Sequence, residues 1–597
     1  MKLLTLCAVL AIALGFSTRA PAATNANANS PLGINLNFLS YYDPEQPFLN
    51  IFKTTGITQS TPTGWSTRSK NMNATHEEAF LQLDSDGYPA TLTPSSSDPN
   101  SPQKFDRVCA VLLRLPASNA GSGLHYRAGQ YVILYDGVGA LSVGMDAKMA
   151  STARSASGGR DVFNVATPTR NGVWVCITQT DPKNHVRNIR VVKAEEESLL
   201  DQGNVYTPAF LGLLKNFRVI RAMQWLKIDE KVTPPGTWAD RAQLTDAGWG
   251  SGKGAPLEAV IGLCNALGAD CWINVPHTAD DDYMTQMATL VHQQLGSTQK
   301  VYVEFSNEVW NGAYPQYHYA MNQGAALWPS AKPFQANRDW YGMRTAQMCD
   351  IWAKVWGGDD SRVHCVLSAQ AAVTSTATES LNCPLWSGAP CYKHHITDVA
   401  VAPYVGWSAS QYPLAWRTAD PATLLNDIFK EFNAGASGGY ITNTWTGFSG
   451  GALQNVSNGE VAYQKALAPY HLPLIAYEGG QSILGGPSSS DDSTLVNAYV
   501  AANRDSRMSA VYTTALENWK ANGGEVYVLY DDVSSPGKYG EWGLLESFLD
   551  RVSPLSDAPP KWQAVQNFIA KNPCWWSGCG GMIATVPAAP AGFKASN

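Results

Sequence analysis

The sequence predicts an α/β fold, a (β/α)8 barrel of the TIM-barrel type, with a β-sandwich or jelly-roll domain inserted after the first strand. Eight apolar segments typical of strands lie near residues 33, 217, 271, 300, 362, 397, 472 and 526, and helical patterns separate most of them. Between the first two, helical periodicity disappears and short alternating runs recur among Gly and Ser residues. Eight βα units fit a closed barrel. No glycine-rich dinucleotide turn follows the first strand, which argues against a doubly wound open sheet.

The N-terminus predicts a secretory signal peptide over residues 1–22. A short positive start precedes an apolar run from Leu3 to Phe16, and small residues at 20–22 supply a cleavage site. Residues 23–30 are a low-complexity linker. We therefore expect a secreted or periplasmic protein.

The domains follow in chain order. The first barrel strand is expected within residues 31–64, the inserted β-sandwich within 65–205 and the remainder of the barrel within 206–572, followed by a tail at 573–597. Within the insert, alternation predicts strands at Val108–Leu113, Gln130–Tyr135, Ala140–Met145, Val173–Thr178 and Asn188–Val192. In the barrel, apolar periodicity and end signals predict helices at Pro208–Asn216, Pro256–Leu267, Met284–Leu295, Ala336–Trp356, Ala422–Asn433, Arg507–Asn522 and Lys561–Lys571.

Composition narrows the class of partner. The net charge of the 597 residues is −7 with no basic stripe, so nucleic acid is not an expected partner. After the signal peptide no stretch reaches about 18 uninterrupted apolar residues, so no membrane partner is expected either. Low charge combined with 20 Trp and 25 Tyr suits a polysaccharide or oligosaccharide, because aromatic faces pack against sugar rings. No metal or organic cofactor is expected.

The cysteines predict disulfides. Cys7 lies in the signal peptide, which leaves ten cysteines in an exported chain, and none has the paired spacing of a zinc site. Sequence does not fix their connectivity. Proximity suggests the pairs Cys264–Cys271, Cys383–Cys391 and Cys574–Cys579, with Cys349–Cys365 and Cys109–Cys176 completing the set.

Two glutamates directly follow apolar strands. Glu308 follows the fourth predicted strand and Glu478 the seventh. Barrels of this kind carry their functional residues at the carboxyl ends of the strands, so the two side chains would face each other across the mouth. Ionised glutamates are costly to desolvate, which argues against a mere filling role. A carboxyl pair about 5–5.5 Å apart suits retaining glycoside hydrolysis, with one group protonated and the other ionised.

The residues around these glutamates carry a family resemblance. VYVEFSNEVW (Val301–Trp310) resembles the fourth-strand signature of clan A glycoside hydrolases such as family 5, in which Asn-Glu carries the acid/base. The strand that ends at Glu478 is similar to the nucleophile strand of that clan. More narrowly, VYVEFSNEVWNG, INVPHTADDDY, LIAYEGGQ and the β-rich insert resemble secreted bacterial proteins often labelled cellulose-binding.

The resemblance implies roles for individual residues. Glu308 would be the acid/base and Glu478 the nucleophile. Asn307 would bind the sugar 2-hydroxyl, Arg221 would hold the nucleophile ionised, and Tyr404 would hydrogen-bond it. The sequence departs from the clan pattern at Val309, where Pro is usual, and the eighth-strand Trp platform is not obvious; Tyr530 or Trp542 could replace it.

Several other candidate residues have more than one interpretation. His277 either binds sugar, orients a carboxylate or caps a loop. Trp225, Trp310 and Trp407 follow strand ends and either stack on sugar or pack in the core. Glu304 is favoured as a buried partner of Arg221. The acidic run at 280–282 is favoured as the solvated start of a helix over a cation site.

The sequence therefore predicts a secreted retaining glycoside hydrolase that cleaves a β-linked polysaccharide or oligosaccharide of the cellulose, β-glucan or hemicellulose class. One alternative is a non-catalytic carbohydrate-binding protein, for example a cellulose-binding one, on a glycosidase-like barrel. Another is a structural or adhesion protein of the envelope.

Overall fold

The structure is a computed structural model, and it describes residues 29–42, 44–56, 64–69, 73–95, 105–115, 127–229, 236–250, 252–407, 412–435, 450–483, 492–547 and 559–576. The predicted signal peptide lies outside the described residues, as do most of the predicted linker and most of the tail.

Strands and helices alternate through most of the chain. The strands are β1 (Leu32–Asn35), β2 (Ser66–Arg68), β3 (Arg107–Leu112), β4 (Gly129–Asp136), β5 (Gly139–Met145), β6 (Ala147–Arg154), β7 (Gly158–Val165), β8 (Val173–Thr180), β9 (Arg187–Lys193), β10 (Val219–Arg221), β11 (Asp270–Val275), β12 (Val301–Phe305), β13 (Val363–Ser368), β14 (Asp398–Val401), β15 (Val405–Trp407), β16 (Leu474–Ala476), β17 (Gln481–Ile483) and β18 (Tyr527–Leu529). The helices are α1 (Glu197–Asp201), α2 (Pro208–Leu214), α3 (Leu257–Leu267), α4 (Asp281–Gln294), α5 (Pro315–Leu327), α6 (Pro333–Trp356), α7 (Ser375–Asn382), α8 (Pro421–Asn433), α9 (Ala452–Leu467), α10 (Ser493–Arg504), α11 (Met508–Ala521) and α12 (Pro560–Lys571).

Eight parallel strands close a barrel in the order β1-β10-β11-β12-β13-β14-β16-β18, and β18 pairs back onto β1. These strands are buried on both faces because helices cover the outside and side chains fill the inside; all six residues of β11 are buried. Each barrel strand coincides with one of the eight predicted segments. The predicted (β/α)8 fold, which the resemblance to clan A glycoside hydrolases also implies, is confirmed.

Two antiparallel sheets lie between β1 and β10 in the chain. Their strand orders are β2-β3-β8-β5 and β6-β7-β4-β9, and residues of both sheets, such as Val175 and Phe163, share one hydrophobic cluster. The five predicted strands are present. The prediction missed β2, β6 and β7. Strand β6 is the edge of its sheet and mostly solvent-exposed, so its sequence lacks the apolar alternation on which the prediction relied.

All seven predicted helices are present with ends shifted by up to three residues, but α1, α5, α7, α9 and α10 were missed. Helix α9 contains Asn, Ser and Gly, which lower intrinsic helix propensity, and tertiary packing stabilises it instead. The acidic run at 280–282 begins α4, where the Asp280 carboxylate accepts from the Tyr283 amide at 2.7 Å, as expected of a helix start.

Within the described residues, four disulfides join Cys109–Cys176, Cys264–Cys271, Cys349–Cys365 and Cys383–Cys391. They are four of the five suggested pairs; the fifth includes Cys579, which lies outside the described residues. Disulfides of this kind form in oxidising compartments, so they fit an extracellular protein. No helix in the described part of the chain is long and apolar enough to cross a membrane.

The segment that follows β10 lies against the inserted domain and against the residues just before it in the chain. The Ala247 amide donates to the Asp86 carbonyl at 2.7 Å, and the Trp249 amide donates to the Lys53 carbonyl at 2.7 Å. Lys53 Nζ in turn donates to the Asp246 carbonyl. The insert therefore supports a loop that begins at the mouth of the barrel, where β10 ends.

Candidate active site

Arg221 ends β10 and lies fully buried at the centre of a polar cluster in the barrel mouth. Its Nη1 donates to Glu478 Oε1 at 2.7 Å and to Asn35 Oδ1 at 2.9 Å. Its Nη2 donates to Glu304 Oε2 at 2.9 Å and to Asn307 Oδ1 at 2.8 Å. The guanidinium thus joins side chains from the first, fourth and seventh barrel strands in a fixed planar geometry.

Glu304 lies within β12, the fourth barrel strand, four residues before Glu308 and deeper in the barrel. Besides Arg221, its carboxylate accepts from Trp272 Nε1 at 2.8 Å, from Asn274 Nδ2 at 2.8 Å and from the Ser368 hydroxyl. The side chain is fully buried and its charge is compensated by a cation and several donors. This is the buried partner of Arg221 that the sequence favoured.

Glu478 follows β16 and is held by two donors. Arg221 contacts Oε1, and the Tyr404 hydroxyl donates to Oε2 at 3.0 Å. Burial raises the pKa of Glu478, whereas the charge and hydrogen bond of Arg221 act to lower it. The cation therefore stabilises the ionised form of this carboxylate.

A short parallel pair of strands places Tyr404 beside Glu478. Tyr404 immediately precedes β15, Glu478 lies just before β17, and β15 pairs with β17 above the barrel. The turn between Glu478 and β17 requires small residues, since a Cβ on Gly479 would lie 2.2 Å from the Tyr527 hydroxyl. The sequence analysis did not predict this strand pair.

Glu308 follows β12 and is 8% exposed. The Tyr477 hydroxyl donates to its Oε1 at 2.9 Å and Asn311 Nδ2 donates to its Oε2 at 2.8 Å. No cationic side chain of the described residues forms an ion pair with it. Burial raises the pKa of Glu308 to about 8, and the negative charge of Glu478 adds to this effect. Burial is the larger of these two contributions.

The backbone around Glu308 is unusual. Both Ser306 and Glu308 have positive φ, at 62° and 43°, although neither is glycine. Such conformations are costly for residues with a side chain and concentrate at functional sites, where surrounding contacts hold them in place. Here the Ser306 carbonyl accepts from Asn274 Nδ2 at 2.7 Å.

The two glutamates are electrically coupled but differ in their surroundings. Tyr477, the chain neighbour of Glu478, donates to Glu308, and the charge of Glu478 contributes to the raised pKa of Glu308. One carboxyl has a cation at 2.7 Å, whereas the other has neutral donors only. Such a pair can supply a proton donor and an anion within one site.

Aromatic rings form one wall beside Glu478. Tyr404, Tyr530 and Trp542 contact one another edge to face, with ring centroids 5.4 to 6.4 Å apart, and Gln224 Nε2 donates to the Tyr530 hydroxyl at 3.0 Å. Both rings considered as replacements for an eighth-strand platform therefore belong to this wall. All three side chains are partly exposed.

His277 and Trp310 also lie at strand ends. His277 follows β11, is 5% exposed and packs edge to face on Tyr319. Burial lowers the pKa of His277 to about 4, so the ring is neutral at physiological pH. Trp310 is half-buried and follows Glu308 by two residues. Within the described part of the chain, neither His277 Nδ1 nor Trp310 Nε1 has a hydrogen-bond partner.

The sugar-stacking interpretation of Trp225 and Trp407 is corrected by their packing. Trp225 is 0% exposed against Phe48 and Phe210, and Trp407 is 5% exposed against Trp416 and Phe432. Protein side chains cover both indole rings. They are core residues, the alternative that the sequence left open.

The sequence missed several residues of this cluster. Asn35 ends β1, and the strand-end rule that selected the others could have found it. Asp229 lies on a connecting segment, and Tyr314 and Gln316 lie at the start of α5, a helix that the sequence analysis did not predict. Asp229 accepts from Asn307 and Gln316, and the charges of Glu308, Asp229 and Glu478 add to burial in raising the pKa of Tyr314.

Within the described residues, no cluster of His, Cys, Asp or Glu is arranged to hold a metal ion.

Comparison with known proteins gives matches to solved structures but not to families. No family model and no curated protein matches the chain. A broad-specificity family 5 (subfamily 4) endoglucanase from Clostridium longisporum is 11% identical, with 62% of this chain and 88% of that chain covered and a TM-score of 0.33. A family 5 xyloglucanase from Paenibacillus pabuli is 11% identical, with coverages of 61% and 90% and a TM-score of 0.34. A 4-O-α-L-rhamnosyl-β-D-glucuronidase from Fusarium oxysporum is 12% identical, with coverages of 61% and 65% and a TM-score of 0.33.

Proposed function

We propose that the protein is a secreted retaining glycoside hydrolase that cleaves a β-linked polysaccharide or oligosaccharide of the cellulose, β-glucan or hemicellulose class. The observation that carries this proposal is the unequal environment of the two buried glutamates. Arg221 and Tyr404 contact Glu478 and oppose the effect of burial on its pKa, whereas Glu308 has only neutral donors among the described residues and a pKa raised to about 8. A proton shared by the pair resides preferentially on Glu308.

In the first step Glu308 is the general acid and Glu478 the nucleophile. The Glu308 carboxyl gives its proton to the glycosidic oxygen as the bond between that oxygen and the anomeric carbon breaks. The Glu478 carboxylate attacks the anomeric carbon and forms a covalent glycosyl ester. Loss of the proton leaves Glu308 ionised, and consumption of the Glu478 charge removes part of the repulsion that opposed this ionisation.

In the second step water replaces the ester. Glu308, now ionised, takes a proton from a water molecule as its oxygen attacks the anomeric carbon. The bond to Glu478 breaks, and Glu478 leaves as a carboxylate that Arg221 and Tyr404 stabilise. Two inversions at one carbon give a product with the configuration of the substrate.

The surrounding residues support binding and positioning. Asn307 has one amide N–H with no partner among the described residues, suited to the sugar 2-hydroxyl. The partly exposed rings of Tyr404, Tyr530 and Trp542 would pack against a sugar ring, as would Trp310 on the side of Glu308. His277 would bind substrate as a neutral donor or acceptor.

The first test is turnover by the purified protein. Incubation with β-glucan, xylan, mannan and galactan should release reducing sugar from at least one polymer. NMR recorded in the first minutes should show the β-anomer before mutarotation. An initial α-anomer would contradict the retaining mechanism, and binding without any product would favour the non-catalytic carbohydrate-binding alternative.

The second test separates the two glutamates. Glu478→Gln should lower kcat by about 10⁴-fold or more on every substrate, because no nucleophile of similar geometry replaces it. Glu308→Ala should lose most activity on polysaccharide. It should still form the glycosyl ester from a 2,4-dinitrophenyl glycoside, whose leaving group needs no proton. Equal losses of Glu308→Ala on both substrates, or wild-type rates for Glu478→Gln, would contradict the assignment.

A further inference from the structure

Asp229 lies eight residues after Arg221, on the segment that leaves the barrel mouth after β10. Each of its carboxylate oxygens accepts one side-chain amide: Oδ2 from Asn307 Nδ2 at 2.7 Å and Oδ1 from Gln316 Nε2 at 2.6 Å. The side chain is partly buried and has no ion pair among the described residues. Both oxygens of this carboxylate therefore accept hydrogen bonds from side-chain amides, one just before Glu308 in the sequence and one eight residues after it.

The contacts on both ends of Asn307 fix the orientation of its amide. Arg221 can only donate, so the atom that it contacts at 2.8 Å must be the Asn307 oxygen. The Asn307 nitrogen therefore lies on the side of Asp229, whose Oδ2 accepts from it at 2.7 Å. A flipped amide would lose both hydrogen bonds and place like groups together. One N–H of Asn307 then remains with no partner in the described part of the chain.

Gln316 closes a ring with these two residues. It lies in the first turn of α5 and is fully buried. Its Nε2 donates to Asp229 and also, at 2.7 Å, to the main-chain carbonyl of Asn307. Asp229 thereby holds the side chain of Asn307 directly and its backbone carbonyl through Gln316. Asn307 itself lies between the two positive-φ residues Ser306 and Glu308.

We propose that Asp229 is a positioning residue that, with Gln316, holds the amide of Asn307 so that its free N–H binds the sugar 2-hydroxyl in the transition state. This inference rests on the proposed function. Asp229 acts through Asn307 and not on the reacting atoms. A contact to the 2-hydroxyl strengthens as positive charge develops at the anomeric carbon, so its loss lowers kcat more than it changes KM.

The test pairs a substitution with a change in the substrate. Asp229→Asn keeps the shape of the side chain but replaces one accepting oxygen with an amino group, which breaks one of the two amide contacts. The wild type and the variant are compared on two aryl β-glycosides of the sugar that the polymer screen identifies, one with the 2-hydroxyl and one 2-deoxy. Thermal unfolding checks that the variant is folded.

The expected result is a selective loss. Asp229→Asn should lower kcat/KM by about 10- to 100-fold on the glycoside with the 2-hydroxyl, since the contact to this hydroxyl is strongest in the transition state. On the 2-deoxy glycoside the loss should be less than about threefold. Gln316→Leu, which keeps the bulk but removes both donated hydrogen bonds, should show the same selectivity. It also provides the test if Asp229→Asn does not fold.

Asp339→Asn is the matched control. Asp339 is a fully buried acid on α6 that accepts from the Leu385 amide at 2.8 Å, outside the cluster at the barrel mouth. It should leave both rates unchanged. Equal losses of Asp229→Asn on the two glycosides, or no loss on either, would overturn the positioning role while leaving the proposed function intact. A wild-type protein without turnover on any glycan would overturn the proposed function instead, and this role with it.

Discussion

Arg221 donates from Nη1 to Oε1 of Glu478 across 2.7 Å, and both side chains are buried. The same guanidinium neutralises Glu304, so one cation compensates two carboxylates beneath the barrel mouth. Glu308 receives no such compensation from the described residues. Burial raises the pKa of both carboxyls, but Arg221 opposes this effect at Glu478, whereas the pKa of Glu308 reaches about 8.

Removal of the Arg221 charge should raise the pKa of Glu478. Arg221→Met leaves two buried carboxylates without a cation, so the acid limb of the kcat/KM profile should move to higher pH by about one unit or more. The protein should also lose about 3–5 kcal/mol of stability. The measurements are kcat/KM between pH 4 and pH 9 and denaturant unfolding. An acid limb at the wild-type pH would contradict the role of Arg221.

Arg218→Met is a suitable comparison for that variant. Arg218 lies just before β10, is 5% exposed and pairs with Asp270 at 3.3 Å. It should lower stability in the same way, because it also leaves a buried acid without its cation. The pH dependence of kcat/KM should stay that of the wild type.

The alkaline limb of the kcat/KM profile should reflect the deprotonation of Glu308. Its pKa is raised to about 8 and the general acid must be protonated, so activity should fall as the pH rises through about 8. The Tyr477 hydroxyl stabilises the ionised form, so Tyr477→Phe should raise this pKa and move the limb to still higher pH. An alkaline limb that moved to lower pH in Tyr477→Phe would be inconsistent with this hydrogen bond.

Glu460 predicts how stability depends on pH. It lies on α9, is 5% exposed and accepts from Asn522 Nδ2 at 2.7 Å; burial raises its pKa from 4.5 to about 8. The folded state thus binds the proton more tightly than the unfolded state, so this group costs stability as the pH rises from about 4.5 to 8. Glu460→Gln should stabilise the protein by about 1–3 kcal/mol at pH 8 and much less at pH 4.5.

Glu197 has a lowered pKa, opposite to the raised pKa of Glu460, and provides the contrast. The hydrogen bond from Arg160 lowers the pKa of Glu197, so Glu197 adds stability above pH 4.5 that is lost as the pH falls through its folded pKa. Glu197→Gln should therefore lower the melting temperature slightly at pH 8, since this pair is solvent-accessible. Parallel pH dependences for the two variants would refute the assignment of these shifts.

Two tryptophans should separate binding from packing. Trp225→Ala removes a fully buried ring and should cost about 3–5 kcal/mol of stability. Trp310→Ala removes a half-buried ring two residues after Glu308 in the chain and should raise KM several-fold with a smaller change in melting temperature. Denaturant unfolding and steady-state kinetics on the same substrate distinguish the outcomes. A raised KM in folded Trp225→Ala alone would reverse the assignment.

Local patterns in the sequence determined the barrel and the main carboxylates. The eight parallel strands are buried on both faces, so each is a short apolar run that is visible without a structure. Glu308 and Glu478 stand out because a charged residue directly follows such a run. Strand β6 was missed because an exposed edge lacks apolar alternation, and helix α9 because polar residues such as Asn455 and Glu460 occupy buried positions.

Only the tertiary structure decided how these residues differ from one another. Sequence treats Trp225, Trp310 and Trp407 alike, yet packing covers two of the rings and leaves one partly open. Asp229 lies 78 residues from Asn307, and their hydrogen bond exists because two connecting segments meet above the barrel. The protonation of the two glutamates depends on their burial and on the position of the Arg221 guanidinium. Both depend on distances in space, which the order of residues along the chain does not give.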